Sequence, residues 1–441
     1  MTTTTPEAAL AQGEVIDILR DLIRIDTTND GTDAGPGEAS AAEYVEACLA
    51  EVGLDVERFS TTSSRRQGVV ARIPGTDPSL PRLLLHGHLD VVPAQAADWS
   101  VPPFAAEVID GMVWGRGAVD MKDMDAMILS VARAWARGGV QPRRDLVLLF
   151  IPDEEAGGNH GSHWIVDHRP DILEGVSEGV SEVGGFSLTL PDQRRLYMIQ
   201  SAEKGIAWMR LAAEGRAGHG SVVNNDNAIT EIAAAVTRIG RHVWPGHLSP
   251  TARRMVDEVG DAFGVDLDIN DLDVLAEQIG PLARFIGSAT RNVSNPTMLA
   301  AGYKANVVPG AASAMVDGRF MPGDEVEFLR QIDELLGPRV TREFDTHDVA
   351  LEADFDVPLV DAMRAALQAE DPGSLVAPYV LSGGTDAKAF SRLGVSGYGF
   401  APLRLPEDLD FTSLFHGVDE RVPIDSVHFG VRALDRFLRL M

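Results

Sequence analysis

The sequence predicts an α/β fold: a larger domain on a mostly parallel central sheet, interrupted by a smaller inserted α+β domain. Three observations predict it. Apolar runs at 82–89 and 145–151 flank a segment at 120–137 whose apolar residues return at helical spacing, and strand–helix–strand is the pattern of a parallel βαβ unit. From about Glu203 the texture changes. After residue 321 the earlier alternation of strands and helices resumes. The expected division is therefore 1–202 and 322–441 for the larger domain and 203–321 for the insertion.

Taken in order, 7–24 and 37–52 carry apolar residues at helical spacing, and Gly53 follows the second as a stop. The Asp26–Gly37 stretch between them is rich in Thr, Asn, Asp and Gly and reads as a loop. Strand-like runs follow at 68–73 and 82–89. Gly115-Arg116-Gly117 breaks the chain before the 120–137 helix, which Gly138-Gly139 closes. The strand at 145–151 runs into Pro152-Asp153-Glu154-Glu155. In the insertion, strands are expected at 205–213, 305–308 and 314–320 and helices near 226–241 and 271–279. A helix at 324–336, a strand near 340–345, a helix at 358–369, a strand before Ser382-Gly383-Gly384-Thr385-Asp386 and a helix at 425–441 complete the chain.

A chain of 441 residues, 45% hydrophobic and 24% charged, is long enough for two to three ordinary globular domains. Its formal net charge of -28 argues against nucleic acid or an anionic membrane as the main partner. The single cysteine, Cys48, excludes an intramolecular disulfide and a cysteine-based metal cluster; its place in a helical pattern makes it a packing residue. Met1–Glu7 lacks the basic and apolar regions of a secretory signal, and no run approaches the roughly 18 apolar residues of a membrane span. The expected location is the cytoplasm.

The chemistry gathers where the apolar run 83–85 ends in His86-Gly87-His88-Leu89-Asp90. In an α/β sheet the carboxyl ends of the strands are where ligands bind. Side chains alternate along a strand, so His88 and Asp90 share a side, and a carboxylate there can take a ring N–H, fixing the tautomer of a metal-ligating histidine. A core histidine satisfied by a neighbouring acid is the competing reading of that pair alone. Asp120 falls near a helix N-terminus, which favours a carboxylate in any case. His88, Asp120, Glu154, Glu155, a later glutamate and His416 together offer the oxygen and nitrogen donors that suit zinc, cobalt or manganese. Without cysteine ligands, an open catalytic site fits better than a closed structural one.

His88-Leu89-Asp90-Val91-Val92-Pro93, Gly115-Arg116-Gly117-Ala118-Val119-Asp120-Met121-Lys122, Asp153-Glu154-Glu155 and the late His416 resemble the M20 family of metallopeptidases, which includes glutamate carboxypeptidase, aminoacylase, acetylornithine deacetylase and succinyl-diaminopimelate desuccinylase. The resemblance spans nearly the whole chain and implies a zinc-peptidase-like catalytic domain with an inserted lid that also forms a homodimer interface. It implies two divalent metals, zinc first and cobalt or manganese as alternatives: His88 and Glu182 on one, Glu155 and His416 on the other, and Asp120 bridging. Asp90 is implied as the orienter of His88 and Glu154 as the general base. Glu178 competes with Glu182, which is preferred for the paired glycines that follow it. His219, in Gly218-His219-Gly220-Ser221, matches a lid histidine that helps hold the oxyanion in the partner subunit's site. Asn306, Arg319, Gly384 and Thr385 match substrate-contacting positions.

The activity so implied is hydrolysis of an amide bond in an N-acyl amino acid or dipeptide-like compound with a free carboxylate. Hydrolysis of fatty or aromatic N-acyl amides, or a non-catalytic relative that binds metal or peptide, are the alternatives; an intact Glu154 speaks against the last. Gly175-Val176-Ser177-Glu178-Gly179 fits a serine-hydrolase pattern by chance, since no strand is expected before it. His160, His163 and His168 read as surface or packing residues.

Overall fold

The computed structural model describes residues 4–32, 34–280 and 282–441. Met1–Thr3 of the amino-terminal stretch, and Asp33 of the loop expected between the first two helices, lie outside the described residues. The chain divides into two compact units. One comprises the described residues up to Ser201 with Ala353–Ala377 and Thr385–Met441; the other comprises Ala202–Glu352 and Pro378–Gly384.

The first unit is built on a sheet in the order Asp55–Ser60, Gln67–Ile73, Leu146–Ile151, Arg82–His88, Val176–Ser181, Ser396–Gly399 and Arg195–Glu203, with Phe186–Thr189 beside the last. The sheet is mixed rather than mostly parallel. Leu146–Ile151, Arg82–His88, Val176–Ser181 and Ser396–Gly399 run parallel, whereas the strands on either side pair antiparallel. Loops such as 61–66 and 190–194 are too short for the crossover a parallel pair requires, so they return the chain as hairpins.

The parallel strands are apolar on both faces because both faces are covered. On one side Leu84, Val147, Leu149 and Ile151 pack with Ile165, Val166, Ile172 and Phe390. On the other lies Lys122–Gly138, buried from Lys122 to Trp135 and flanked by Pro6–Arg24 and Ile424–Leu440. Pro6–Arg24 buries Ala8, Ala11, Val15, Ile18, Leu19 and Leu22 along one stripe, and its Thr5 side chain caps the helix by accepting from Ala8 N at 3.1 Å. Gly139, at φ 65°, ends Lys122–Gly138 in a left-handed turn.

The register of the parallel strands positions the site. His88 pairs with Ile151, and Gly399 with Ser181, so the chain leaves the sheet at neighbouring points carrying His88, Glu154-Glu155 and Glu182. Gly184 makes the last exit possible: a Cβ there would stand 2.0 Å from the Gly399 carbonyl oxygen. A small antiparallel sheet joins distant sequence, with Arg421 opposite Trp114 and Val422 opposite Val113, which brings the His416 loop beside the 115–120 loop.

The second unit is a four-stranded antiparallel sheet in the order Val293–Ala301, Ala311–Phe320, Gly205–Glu214, Val340–Asp348. Along Gly205–Glu214 the buried Ala207, Met209, Leu211 and Ala213 alternate with outward Trp208, Arg210, Ala212 and Glu214. Ala228–Arg241 and Glu325–Leu336 cover the buried face with Ile232, Ile239, Phe328 and Ile332. This unit continues to Glu352, beyond the 321 expected from texture, because Val340–Asp348 pairs with Gly205–Glu214 and Glu325–Leu336 closes the same core. Among the described residues no helix is long and apolar enough to cross a membrane.

Candidate metal centre

Six side chains converge at the carboxyl ends of the parallel strands. His88, fully buried, points Nε2 at Asp120 Oδ1 (3.2 Å), Glu182 Oε2 (3.6 Å) and Glu154 Oε2 (3.9 Å). His416, on an exposed loop at φ 58°, points Nε2 at Asp120 Oδ2 (3.1 Å) and Glu155 Oε2 (3.0 Å). Asp120 thus offers one oxygen to each imidazole. Of the two acids that competed in sequence, Glu182 stands beside His88, whereas Glu178 accepts from Arg144 at 2.5 Å.

Local backbone explains each placement. His88 Nδ1–H donates to the Asp90 carbonyl at 2.9 Å, which fixes the tautomer and leaves the Nε2 lone pair facing the carboxylates. The Asp90 carboxylate was expected in that role but lies 3.7 Å from Nδ1. Instead its two oxygens accept from Glu154 N and Glu155 N, both at 3.1 Å. Asp153 enters this turn at φ 74°, so the chain reverses sharply and adjacent Glu154 and Glu155 diverge. Glu155 Oε1 also accepts from Val92 N at 3.3 Å.

Sequence reasoning missed Glu420 and Arg116. Glu420 is buried and accepts from Gly117 N (3.0 Å), Val119 N (2.7 Å) and Asp120 N (3.2 Å). Arg116 donates to Glu420 (2.7 Å) and to the Gly417 carbonyl (3.0 Å). The pair clamps the loops that carry Asp120 and His416 to each other. Arg116 stands inside a motif singled out in the sequence and Glu420 four residues after His416; only their pairing across 304 positions is invisible there.

The crowded acids and histidines shift one another's proton affinities. Burial raises Glu154 well above the usual carboxylate range, with Glu182, Asp386 and Glu155 adding to it; burial and Asp120 raise Glu155; and burial pushes Glu182 up to about 8. Burial opposes charge on His88, but Glu182, Asp120 and Glu154 outweigh it and raise its pKa well above the ordinary value. Hydrogen bonds to Asp120 and Glu155 bring His416 up to about 10. Four carboxylates packed against the buried His88 and the exposed His416 ask for cations. His88, Asp120 and Glu155 form one donor group and His88, Glu154 and Glu182 another, each with its ligand atoms within 4.8 Å of one another. These hard-to-borderline donors fit divalent metal ions.

The other residues predicted from sequence lie elsewhere in the chain's two units. In the second unit, His219 is exposed on a short strand opposite Val307, its Nδ1 2.8 Å from Ser221 Oγ, and Gly220 N donates to the Asn306 carbonyl at 2.9 Å, so His219 and Asn306 are neighbours. Arg319 is paired with Asp317 at 2.7 Å and lies over the Trp208 ring. Gly384 and Thr385 lie in the loop before Ala387–Ser391, where Ala387 N donates to Thr385 Oγ1 at 3.2 Å. Ser177 sits within the strand Val176–Ser181 and accepts from Arg144, not at a nucleophile turn. His160 contacts Thr62 Oγ1 at 3.0 Å and His168 stacks on Trp164.

The profile of peptidase family M20/M25/M40 matches residues 84–440. The chain is 28% identical over 389 residues to N-fatty-acyl-amino acid synthase/hydrolase PM20D1 of Xenopus tropicalis, covering 82% of this chain and 72% of that protein. It is 27% identical over 442 residues to human aminoacylase-1, covering 97% and 94%. Its fold matches the M20 family metallo-carboxypeptidase Sso-CP2 of Sulfolobus solfataricus with a TM-score of 0.74 at 18% identity, over 97% of this chain and 99% of that one.

A pH-dependent stability follows from the raised groups. Glu182, raised from 4.5 to about 8, holds its proton in the folded chain where the unfolded chain has released it. Its contribution is complete below the unfolded value and lost as pH rises through about 8; His416, raised from 6.5 to about 10, runs the same way at higher pH. The Tm of the metal-free protein is therefore expected to fall between about pH 5 and pH 9, and added zinc to raise Tm more at about pH 8 than at about pH 5, since binding displaces protons. A zinc-induced shift larger at the acid end would contradict the assignment.

Proposed function

The chain belongs to peptidase family M20/M25/M40, and from that premise we propose that it is a dinuclear metal hydrolase of amide bonds in N-acyl amino acids or dipeptide-like substrates with a free carboxylate. The observation that carries the reading is Asp120, whose two oxygens face two histidines from distant parts of the chain, with Glu154 beside His88. Zinc is the first candidate. His88 and Glu182 would complete one site, Glu155 and His416 the other, with Asp120 shared.

Metals bound there would polarise the scissile carbonyl and lower the pKa of water. Glu154 takes the proton of the attacking water and returns it to the leaving amine. Its mostly buried setting, among other carboxylates, raises its proton affinity, which is the direction such a shuttle needs. The backbone anchor to Asp90 holds Glu154 and Glu155 in different directions, so one carboxylate can serve the metals while the other moves protons.

The second unit acts as lid and dimer surface in this reading. His219 supplies a donor to the developing oxyanion, and Arg319, with Asn306, Gly384 and Thr385, engages the substrate; a planar guanidinium suits a free carboxylate. The dimer draws support from the edge strand Val293–Ala301, which leaves Met298 67% and Leu299 60% exposed, with Tyr303 82% exposed just beyond. An open apolar edge favours pairing with another copy.

A narrower reading is an apolar acyl group: Met124, Phe186, Leu403, Phe411 and Phe415 form an apolar wall beside Glu182, with space between them for little more than a water. The fatty-acyl amino acid enzymes among the relatives point the same way.

Amine release from acetyl, fatty-acyl and aromatic-acyl amino acids and from dipeptides, with and without chelation, tests the activity. Chelator-sensitive cleavage is expected, strongest for the apolar acyl compounds if the apolar wall beside Glu182 opens to receive them. Glu154→Gln should bind metal like the native chain and lose at least about 100-fold in kcat, the usual scale of general acid–base catalysis; near-native turnover would remove Glu154 from its role.

A second experiment addresses the lid. Glu154→Ala and His219→Ala chains, each inactive, are expected to regain part of the activity when mixed into heterodimers, because one site then has both groups. Heterodimers without activity would mean that each chain completes its own site.

A further inference from the structure

Behind the turn that carries Glu154 and Glu155 lies a second polar cluster, on which the proposed reaction makes no direct demand. Arg66, from the loop before Gln67–Ile73, is 5% exposed and surrounded by Glu38, Asn29 and Asp153, all at 3% or less. It donates to Glu38 Oε1 (2.5 Å) through Nη1 and to Asn29 Oδ1 (3.1 Å) through Nη2, and lies 3.6 Å from Asp153 Oδ1. Asn29 Nδ2 in turn donates to Asp90 Oδ2 (2.8 Å) and Asp153 Oδ1 (3.0 Å).

This arrangement gives the Asn29 amide one acceptable orientation. Its oxygen must face the guanidinium and its NH2 the two carboxylates, because the flipped amide would set donor against donor and acceptor against acceptor. Asp90, held in this way, presents its two oxygens to Glu154 N and Glu155 N. Asp153, the left-handed residue before them, is fixed by the same Asn29 and by His160 N at 2.7 Å. The chain of contacts therefore runs from Arg66 through Asn29 and Asp90 to the backbone of both site glutamates.

We propose that Arg66 is a positioning residue for Glu154 and Glu155, acting through Asn29 and Asp90 rather than on the substrate. The inference rests on the proposed role of Glu154. A guanidinium is required because its fork reaches Glu38 and Asn29 at once; the compact ammonium of lysine offers no such geometry. Removing Arg66 alone would strand Glu38 in the interior, so the charge pair is best removed together.

The test compares Arg66→Lys, Arg66→Met with Glu38→Leu, and Asn29→Ala in the full-length metal-loaded protein, on an N-acyl amino acid that the native chain cleaves. Each is expected to lower kcat by about 10- to 100-fold, the scale of lost outer-shell support, with KM within about threefold. Combining Asn29→Ala with the double substitution should add less than about threefold, since both act on one path. Arg66→Lys separates positioning from bulk stability: a near-native Tm with lowered kcat supports the inference, and native kcat in Arg66→Lys and Asn29→Ala overturns it even if the double variant does not fold. Glu154→Gln serves as the control. If it is inactive while the Arg66 and Asn29 variants turn over normally, the inference alone fails; if it is active, the assignment of the base fails.

Discussion

The buried crowd of carboxylates around His88 and His416 is the constraint on which the rest of this structure depends. Two unit charges about 4 Å apart repel by about 4 kcal/mol at the effective dielectric near 20 that suits protein interiors. Asp120, Glu154, Glu155 and Glu182 bring several such pairs into one place, and burial adds to the cost. A chain folds around such a group only if cations offset it or the acids keep their protons. The first solution makes a hydrolytic centre; the second is the direction in which Glu154, Glu155 and Glu182 are raised, whereas hydrogen bonds to the two imidazoles hold Asp120 low.

The fold holds this unfavourable group by spreading its supports. The parallel strands deliver His88, the Glu154-Glu155 turn and Glu182 from neighbouring ends, each strand locked by apolar packing on both faces. Arg116 and Glu420 join the two loops that bring Asp120 and His416. Asp90, through its carbonyl, orients His88 and, through its carboxylate, anchors Glu154 and Glu155. One residue thereby couples a histidine on one strand to two acids on the next. Such backbone hydrogen bonds cost no rotamer freedom at the acceptor's partner, which suits groups that must keep a fixed geometry.

Much of this was legible in the sequence where the local signal was strong. Long periodic or continuously apolar segments, such as 7–24, 82–89, 120–137 and 145–151, form helices and strands within a residue or two of their expected ends. Weakly patterned strands escaped notice. Val176–Ser181 and Ser396–Gly399 are rich in Ser and Gly and gain their strand character from pairing with each other, which no local window contains. That pairing is why Glu182, one residue past a strand end, looked ambiguous with Glu178, whose own partner is Arg144. The mixed sheet was missed for the same reason, since direction is set by hairpins and not by composition. At the site, motif residues could be chosen individually, but the switch of Asp90 from side-chain to backbone contact with His88 depends on local backbone conformation, and the links to Arg66, Asn29 and Glu420 depend on tertiary placement across 37 to 304 positions.

The central claim is that Asp120 is shared by two metal ions, and metal stoichiometry in Asp120→Asn tests it most directly. Titration of the metal-free native chain with zinc or cobalt, followed by elemental analysis after desalting, is expected to give two ions per chain. Asn has one carbonyl oxygen and no charge in place of a shared carboxylate, so the variant is expected to keep one ion or none. Two ions bound by Asp120→Asn with native affinity would contradict the account.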